Sequence, residues 1–127
     1  MQQPGEGEKI LIYDESDRDL EDTHALLSRN FPRAQVRVAP NYDQYTAEIS
    51  REDFDLVILN QDLSQETSFT LIQSLRLKDV DPAILVVSRN SNPRAIADAY
   101  AAGCNKCIVR SGSWREEVAP AVRAQMA

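Results

Sequence analysis

Asp55-Leu56-Val57-Ile58-Leu59-Asn60 is the stretch that decides the fold. Leu56 to Leu59 is an apolar run without alternation, so both faces of the strand it forms must be covered. A central strand of a parallel sheet reads this way. Asn60 closes the run and emerges where the strand leaves the sheet. Working outward, Lys9 to Tyr13 and Ala83 to Val87 repeat the pattern, and each run is followed by polar residues. Ala34, Val36 and Val38 alternate instead, which predicts a short edge strand with one exposed face. Cys107 to Val109 completes a set of five.

Helical periods separate these strands. Leu20, Leu27 and Phe31, with Leu26 beside them, predict a helix over residues 17–31. Tyr42, Tyr45 and Ile49 mark a second helix, and residues 68–77 a third. Asn92-Pro93 supplies an N-cap and a proline at the first helical position of a fourth, and Gly103 supplies its stop. Residues 113–126 form the fifth, with Pro120 inside it, where proline costs about 3 kcal/mol unless the helix kinks or restarts. Five strands alternating with five helices predict an α/β fold: a doubly wound, five-stranded parallel sheet of the flavodoxin-like (βα)5 kind. Right-handed crossovers and cover on both faces favour the strand order 2-1-3-4-5.

The 127 residues are read as one domain, residues 9–127, behind a polar lead at residues 1–8. A net charge of -6 argues against nucleic acid and anionic membrane as partners. No apolar run reaches the roughly 18 residues of a membrane span. Met1-Gln2-Gln3-Pro4 is neither basic nor apolar, so it is not read as a signal peptide. A cytoplasmic protein with reduced thiols is expected. Cys104 and Cys107 have C-x-x-C spacing but follow a helix and enter a strand, the reverse of a redox motif. With only His24 besides, they are too few for a zinc site. They are read as small buried residues, and His24 as a solvated side chain.

In a doubly wound sheet, sites form beyond the carboxyl ends of the strands, at the switch point between the first and third. Asp14 and Glu15 follow the first strand, and Asn60, Gln61 and Asp62 the third. Ser88 and Arg89 follow the fourth, and Arg110 and Ser111 the fifth. Two carboxylates, an amide, a hydroxyl and a guanidinium should therefore converge.

At these residues the chain resembles the receiver domain of two-component response regulators, over about residues 9–125. Ile10-Leu11-Ile12-Tyr13-Asp14-Glu15 is similar to the family's strand and acidic pair. Asp55-Leu56-Val57-Ile58-Leu59-Asn60 is similar to its acceptor strand, and Ile84-Leu85-Val86-Val87-Ser88 to its switch-hydroxyl strand. Ala102-Gly103-Cys104-Asn105-Lys106-Cys107-Ile108-Val109-Arg110 looks like its Ala-Gly-Ala…Lys-Pro segment. No one piece is specific; the four in order are. The resemblance implies that the acidic pair and an acceptor Asp bind Mg²⁺, and that the Asp takes a phosphoryl group held by a hydroxyl and a Lys. It also implies an aromatic on the fifth strand that swings inward.

This chain keeps Asp14, Glu15 and Ser88 and departs elsewhere. Asn60 stands for the acceptor Asp, Arg110 for the Lys, Ser111 for the Pro and Cys107 for the aromatic. A neutral amide is not a usable nucleophile, and its loss of charge leaves Mg²⁺ only Asp14 and Glu15, a weak site. Arg110 is expected to pair with one of those carboxylates and fill the space of metal and phosphoryl group. Arg89 is expected either to crowd the pocket or to stand out in solvent. Asp62 is a further carboxylate, two residues into the loop where the family uses a backbone carbonyl. An isolated Asn60 would suit an engineered block, whereas Arg110, Ser111 and Cys107 beside it indicate natural degeneration.

The resulting expectation is a receiver-like signalling module that is not an enzyme, carries no cofactor beyond weak Mg²⁺, and acts by protein–protein contact without phosphorylation. The alternative is a working receiver phosphorylated on an Asp by a histidine kinase. A flavodoxin-like cofactor enzyme would need a loop that cradles phosphate, and Asp14-Glu15-Ser16-Asp17 repels it. The expected partner surface joins the fourth helix, fifth strand and fifth helix, with Asp98, Tyr100, Lys106 and Trp114. Tyr100 shares the apolar side of its helix with Ile96 and is expected to pack in the core.

Overall fold

A computed structural model describes residues 7–60, 68–78, 81–89 and 91–126. Its elements run β1 (Lys9–Tyr13), α1 (Asp17–Asn30), β2 (Gln35–Ala39), α2 (Tyr42–Arg51), β3 (Leu56–Asn60), α3 (Ser68–Arg76), β4 (Ala83–Ser88), α4 (Pro93–Ala102), β5 (Lys106–Val109) and α5 (Trp114–Met126). The sheet has the order β2-β1-β3-β4-β5, with every pair parallel. Ile12 and Tyr13 stand opposite Ile58 and Leu59, and Asn60 opposite Val87. The strands therefore all leave the sheet at the same edge.

The pleat sorts the core into two layers. Ile10, Ile12, Leu56, Ile58, Leu85, Val87 and Ile108 face α1 and α5, meeting Leu20, Leu27, Val118 and Val122. Leu11, Tyr13, Val57, Leu59, Ile84 and Val86 face the other way, meeting Tyr45, Leu71, Ile72, Leu75 and Ala99. Residues one apart on the same strand thus belong to opposite layers, which is why β3 carries no polar residue before Asn60. Each fully buried Leu or Ile contributes about 1.5–3 kcal/mol.

The sequence reading holds to within a residue at most element ends. The structure adds two details of packing. β2 is an edge strand, as its alternation predicts, and Val38 is 41% exposed while Ala39 is buried. Pro120 neither breaks nor restarts α5, which runs on through it. Its ring lies on the exposed side, and so does Glu116, whose carbonyl it deprives of a partner and leaves to water.

The turns are built locally. Ser16 caps α1 by accepting the Asp19 N–H, and Asn41 and Asn92 cap α2 and α4 in the same manner. Gly103 ends α4 at φ 120°, a conformation that residues with a Cβ rarely adopt. Its carbonyl accepts from Arg76 Nε at 3.0 Å and Nη2 at 2.6 Å, and Arg76 Nη2 also donates to Asn105 Oδ1 at 2.8 Å. A Cβ at position 103 would come within 3.3 Å of Arg76 Nε. Gly103→Ala is therefore expected to lower stability by roughly 1–3 kcal/mol, from backbone strain and displacement of Arg76 together. Urea denaturation with an unchanged slope would register it as a lower midpoint.

Candidate functional site

The carboxyl edge of the sheet carries the polar groups the sequence places there. The Asp14 N–H donates to Ala39 O at 3.2 Å, and the Arg110 N–H to Ser88 O at 2.7 Å, so both residues extend the sheet pairing by one step. Asp14 is buried; its Oδ1 accepts the Ser16 N–H at 2.9 Å, closing the turn into α1. The same oxygen accepts from Asn60 Nδ2 at 3.0 Å. A carboxylate only accepts, so Asn60 must present its nitrogen to it. An aspartate at position 60 would offer no such donor. Glu15 turns aside: its Oε2 accepts the Tyr13 hydroxyl at 3.2 Å. Burial, and then the Glu15 charge, push the Tyr13 phenol well above its ordinary range. Ser88 is fully buried at the end of β4. Asp62 and Gln61 lie outside the described residues.

Arg110 pairs with Asp14 as expected, but its guanidinium does not fork onto Asp14 or Glu15. The nearest approach to Asp14 is Nη2 to Oδ2 at 3.9 Å, an ion pair without a hydrogen bond. Arg110 turns instead toward α1, where Nη2 donates to Thr23 Oγ1 at 2.5 Å and to the Asp19 carbonyl at 3.2 Å. Nε lies 4.0 Å from Asp19 Oδ2. The guanidinium carbon stands 3.9 Å from the centre of the Trp114 ring, a cation–π contact. The side chain is only 4% exposed, and burial pulls its pKa below the usual arginine value against the attraction of Asp19 and Asp14.

Arg89 takes the outward of its two expected poses, but not as a free charge. It is largely exposed, yet it is held by Asp19, with Nε on Oδ2 at 3.1 Å and Nη2 on Oδ1. Asp19 and Thr23 are thus central to the site, and the sequence reading missed them. Their signal was available: the buried stripe of α1 runs Asp19, Leu20, Thr23, Leu26, Leu27, and its first turns are polar where the rest is apolar. A buried carboxylate on such a stripe implies a cation from another element.

The other single-residue expectations divide. Trp114 is buried beneath the guanidinium groups of Arg110 and Arg115, so it is not on the outer face of α4, β5 and α5. Tyr100 is 42% exposed rather than in the core, because its hydroxyl reaches over the edge strand to accept the Cys107 N–H at 3.1 Å. Asp98 and Lys106 are exposed, and His24 is half-buried. Cys104 is buried, Cys107 half-buried, and both are free thiols. Burial pushes the Cys104 thiol up to about 11, far from a reactive thiolate.

A magnesium ion of the kind receiver chemistry employs would need oxygen ligands, usually one or two carboxylates with waters. Asp14 Oδ1 already accepts two hydrogen bonds, Asn60 offers this pocket an N–H, and Glu15 is engaged by Tyr13. The donor set suits a tightly held divalent cation poorly. Among the described residues no group of three or more His, Cys, Asp or Glu could hold a metal, and no helix is long and apolar enough to cross a membrane.

The sequence profile gives the family, and the solved structures give the same fold. The profile of the response regulator receiver domain matches residues 10–118. The fold is similar to that of the chemotaxis response regulator CheY4 of Vibrio cholerae, at a TM-score of 0.78 and 18% identity over 91% of this chain and 98% of that one. It is also similar to the signal receiver domain of an HD domain-containing protein from Pseudomonas fluorescens Pf-5, at 0.81 and 21% over 94% of each chain. A third similar structure is the response regulator TrrA from Thermotoga maritima in complex with Mg²⁺-BeF, at 0.78 and 19% over 93% of this chain and 98% of that one. No curated protein sequence matches. The chain belongs to the response regulator receiver domain family of two-component signalling.

Two expectations follow from the geometry. Arg110→Ala removes the buried cation that faces Asp14 and Asp19, and should lower stability by about 3 kcal/mol in denaturant titrations at pH 7. Arg110→Lys should recover only part of this, because an ammonium cannot stack on Trp114 and reach both Thr23 and the Asp19 carbonyl. Asp14→Asn should behave oppositely. Burial raises the Asp14 pKa, so the folded state binds its proton more tightly than the unfolded chain. Stability tied to Asp14 is therefore lost as pH rises through that raised pKa, and the ionised group is a burden at neutrality. The Asn variant should be at least as stable as the native chain at pH 7, and the difference should vanish below about pH 4.

Proposed function

We propose that this receiver domain works without phosphorylation, as a protein–protein interaction module that is not an enzyme. One observation carries the reading: the residue that ends β3 at the switch point is Asn60, and its amide donates to Asp14. A phosphoryl acceptor must be a nucleophile, and an amide nitrogen committed to a carboxylate is not one. Three further departures support it. The half-buried thiol of Cys107 has no ring to swing, Ser111 stands where the family has Pro, and Arg110 is turned to α1. We read Asp14, Glu15, Ser88 and Arg110 as the retained frame of the family pocket. Asp62 belongs with it by sequence.

Mg²⁺ is proposed to bind no better than about the millimolar range, roughly 4 kcal/mol of binding free energy. The partner surface is proposed to lie on α4, β5 and α5. There Tyr100, Asp98 and Lys106 are exposed, and the aromatic ring of Tyr100 is the largest apolar group. A cytoplasmic signalling or output protein is the partner this implies. The net charge of -6 disfavours nucleic acid and anionic membrane.

Incubation of the purified chain with a small phosphodonor and Mg²⁺, followed by intact-mass spectrometry, is expected to give no phosphoryl adduct. The peptide containing Asn60 must be checked for deamidation, which would create an aspartate. An adduct mapped to Asp62 or another Asp of the undeamidated chain would establish the alternative, a working receiver served by a histidine kinase.

A further inference from the structure

The turn of Arg110 toward α1 builds a second polar basin, separate from Asp14 and Asn60. A cavity of 310 Å³ opens between the first turns of α1 and the turn joining β5 to α5. Arg18, Arg89, Arg110 and Arg115 line it, against Asp19 and Asp22. Four guanidinium groups against Asp19 and Asp22, with Asp14 behind Arg110, leave positive charge in excess in a chain whose net charge is -6. Such a local reversal of sign concentrates small anions.

The cations differ in how fully they are satisfied. Arg89 and Arg115 are exposed and pair with Asp19 and Asp22, contacts that are weak and readily exchanged in water. The Arg18 guanidinium has no ion-pair partner among the described residues, and it lines the cavity. Arg110 is held most tightly: its side chain is 4% exposed, and its Nε–H, buried without a hydrogen-bond acceptor among the described residues, faces Asp19 Oδ2 at 4.0 Å. Around one cavity, an Arg18 without an ion-pair partner among the described residues and the exchangeable pairs of Arg89 and Arg115 suit an anionic ligand.

We propose that this cavity binds a phosphate group, either inorganic phosphate or the phosphate of a small monoester, through Arg18, Arg115 and Arg110 beside Trp114. A phosphate monoester carries about -1.5 to -2 charge at pH 7, opposite in sign to the excess around the cavity. Its tetrahedral oxygens accept from several directions, as guanidinium groups arriving from α1, β5 and α5 require. A carboxylate is satisfied by a single fork, as Asp19 is by Arg89, while Asp22 accepts one bond from Arg115. The cavity volume is at the lower end of small-molecule pockets, about 300–1,000 Å³. This site does not depend on whether position 60 is silent.

Trp114 is the only tryptophan of the chain, and guanidinium carbons stand 3.9 and 4.7 Å from its ring centre, so its fluorescence reports directly on the cavity. The full chain would be titrated in EDTA at constant ionic strength, with inorganic phosphate, glycerol phosphate and acetate in separate series. The Gly112 amide would be followed by ¹H–¹⁵N NMR in parallel. Phosphate and glycerol phosphate are expected to give saturable changes that acetate does not give. Arg18→Gln and Arg115→Gln should each weaken binding about tenfold in variants whose thermal unfolding confirms a native fold. Tighter binding of glycerol phosphate identifies the monoester as the ligand; equal binding identifies inorganic phosphate. Absence of a saturable change by both probes, an equal response to acetate, or indifference to both substitutions would overturn the proposal.

Discussion

Every consequence at this site descends from one constraint: a parallel sheet buried on both faces delivers the end of each strand to the same edge. Leu56 to Leu59 can be covered twice only because α1 and α5 lie on one side and α2, α3 and α4 on the other. The strands must then run in one direction, and Asp14, Asn60, Ser88 and Arg110 finish within reach of each other. None of these residues can retreat to bulk water without giving up the strand pairing that carries its backbone. Their side chains must satisfy one another.

Magnitudes decide what that convergence can do. Charges about 4 Å apart attract by roughly 4 kcal/mol at an effective dielectric near 20. Arg110 stands at 3.9 and 4.0 Å from Asp14 and Asp19. The desolvation penalty is several kcal/mol for each buried ion, so attraction and penalty nearly cancel. The ion pairs therefore do not explain why the domain is stable; the two apolar layers do. What the charges fix is position. The hydrogen bonds to Thr23 and the Asp19 carbonyl, and the stack on Trp114, allow Arg110 one direction, toward α1.

The fold was legible because its signals are local. An unbroken apolar run, a cap such as Asn92-Pro93 and a stop such as Gly103 are each read within a few residues. The edge residues of the site were legible for the same reason, since strand ends mark them. The directions of Arg110 and Arg89 were not, because they depend on Asp19, which lies 91 and 70 positions away. Tyr100 was misplaced for a related reason. Its helix suggested an inward face, but the unpaired N–H of an edge strand drew the hydroxyl outward. Helical periodicity says which stripe is buried; it does not say which polar group on another element waits for a residue at its margin.

On the reading proposed above, Asn60 and Arg110 are two parts of one electrostatic settlement. An aspartate at position 60 would face Asp14 across about the distance now spanned by a 3.0 Å hydrogen bond, and two carboxylates that close cannot both stay ionised without a cation between them. The amide removes that need, because it donates to Asp14 and adds no charge. Arg110 then need not fork onto Asp14, and it spends its hydrogen bonds on Thr23 and the Asp19 carbonyl while staying 3.9 Å from Asp14. On this reading Asp14 and Asn60 satisfy each other at the end of β3, and little charge is left there to hold a metal or a phosphoryl group on Asn60. That position therefore offers little by which either could shift the domain between two states, since a ligand moves an equilibrium only by its difference in affinity for the two forms. Any signal this domain carries must then be set by what docks on its surface, not by what reacts at its sheet edge.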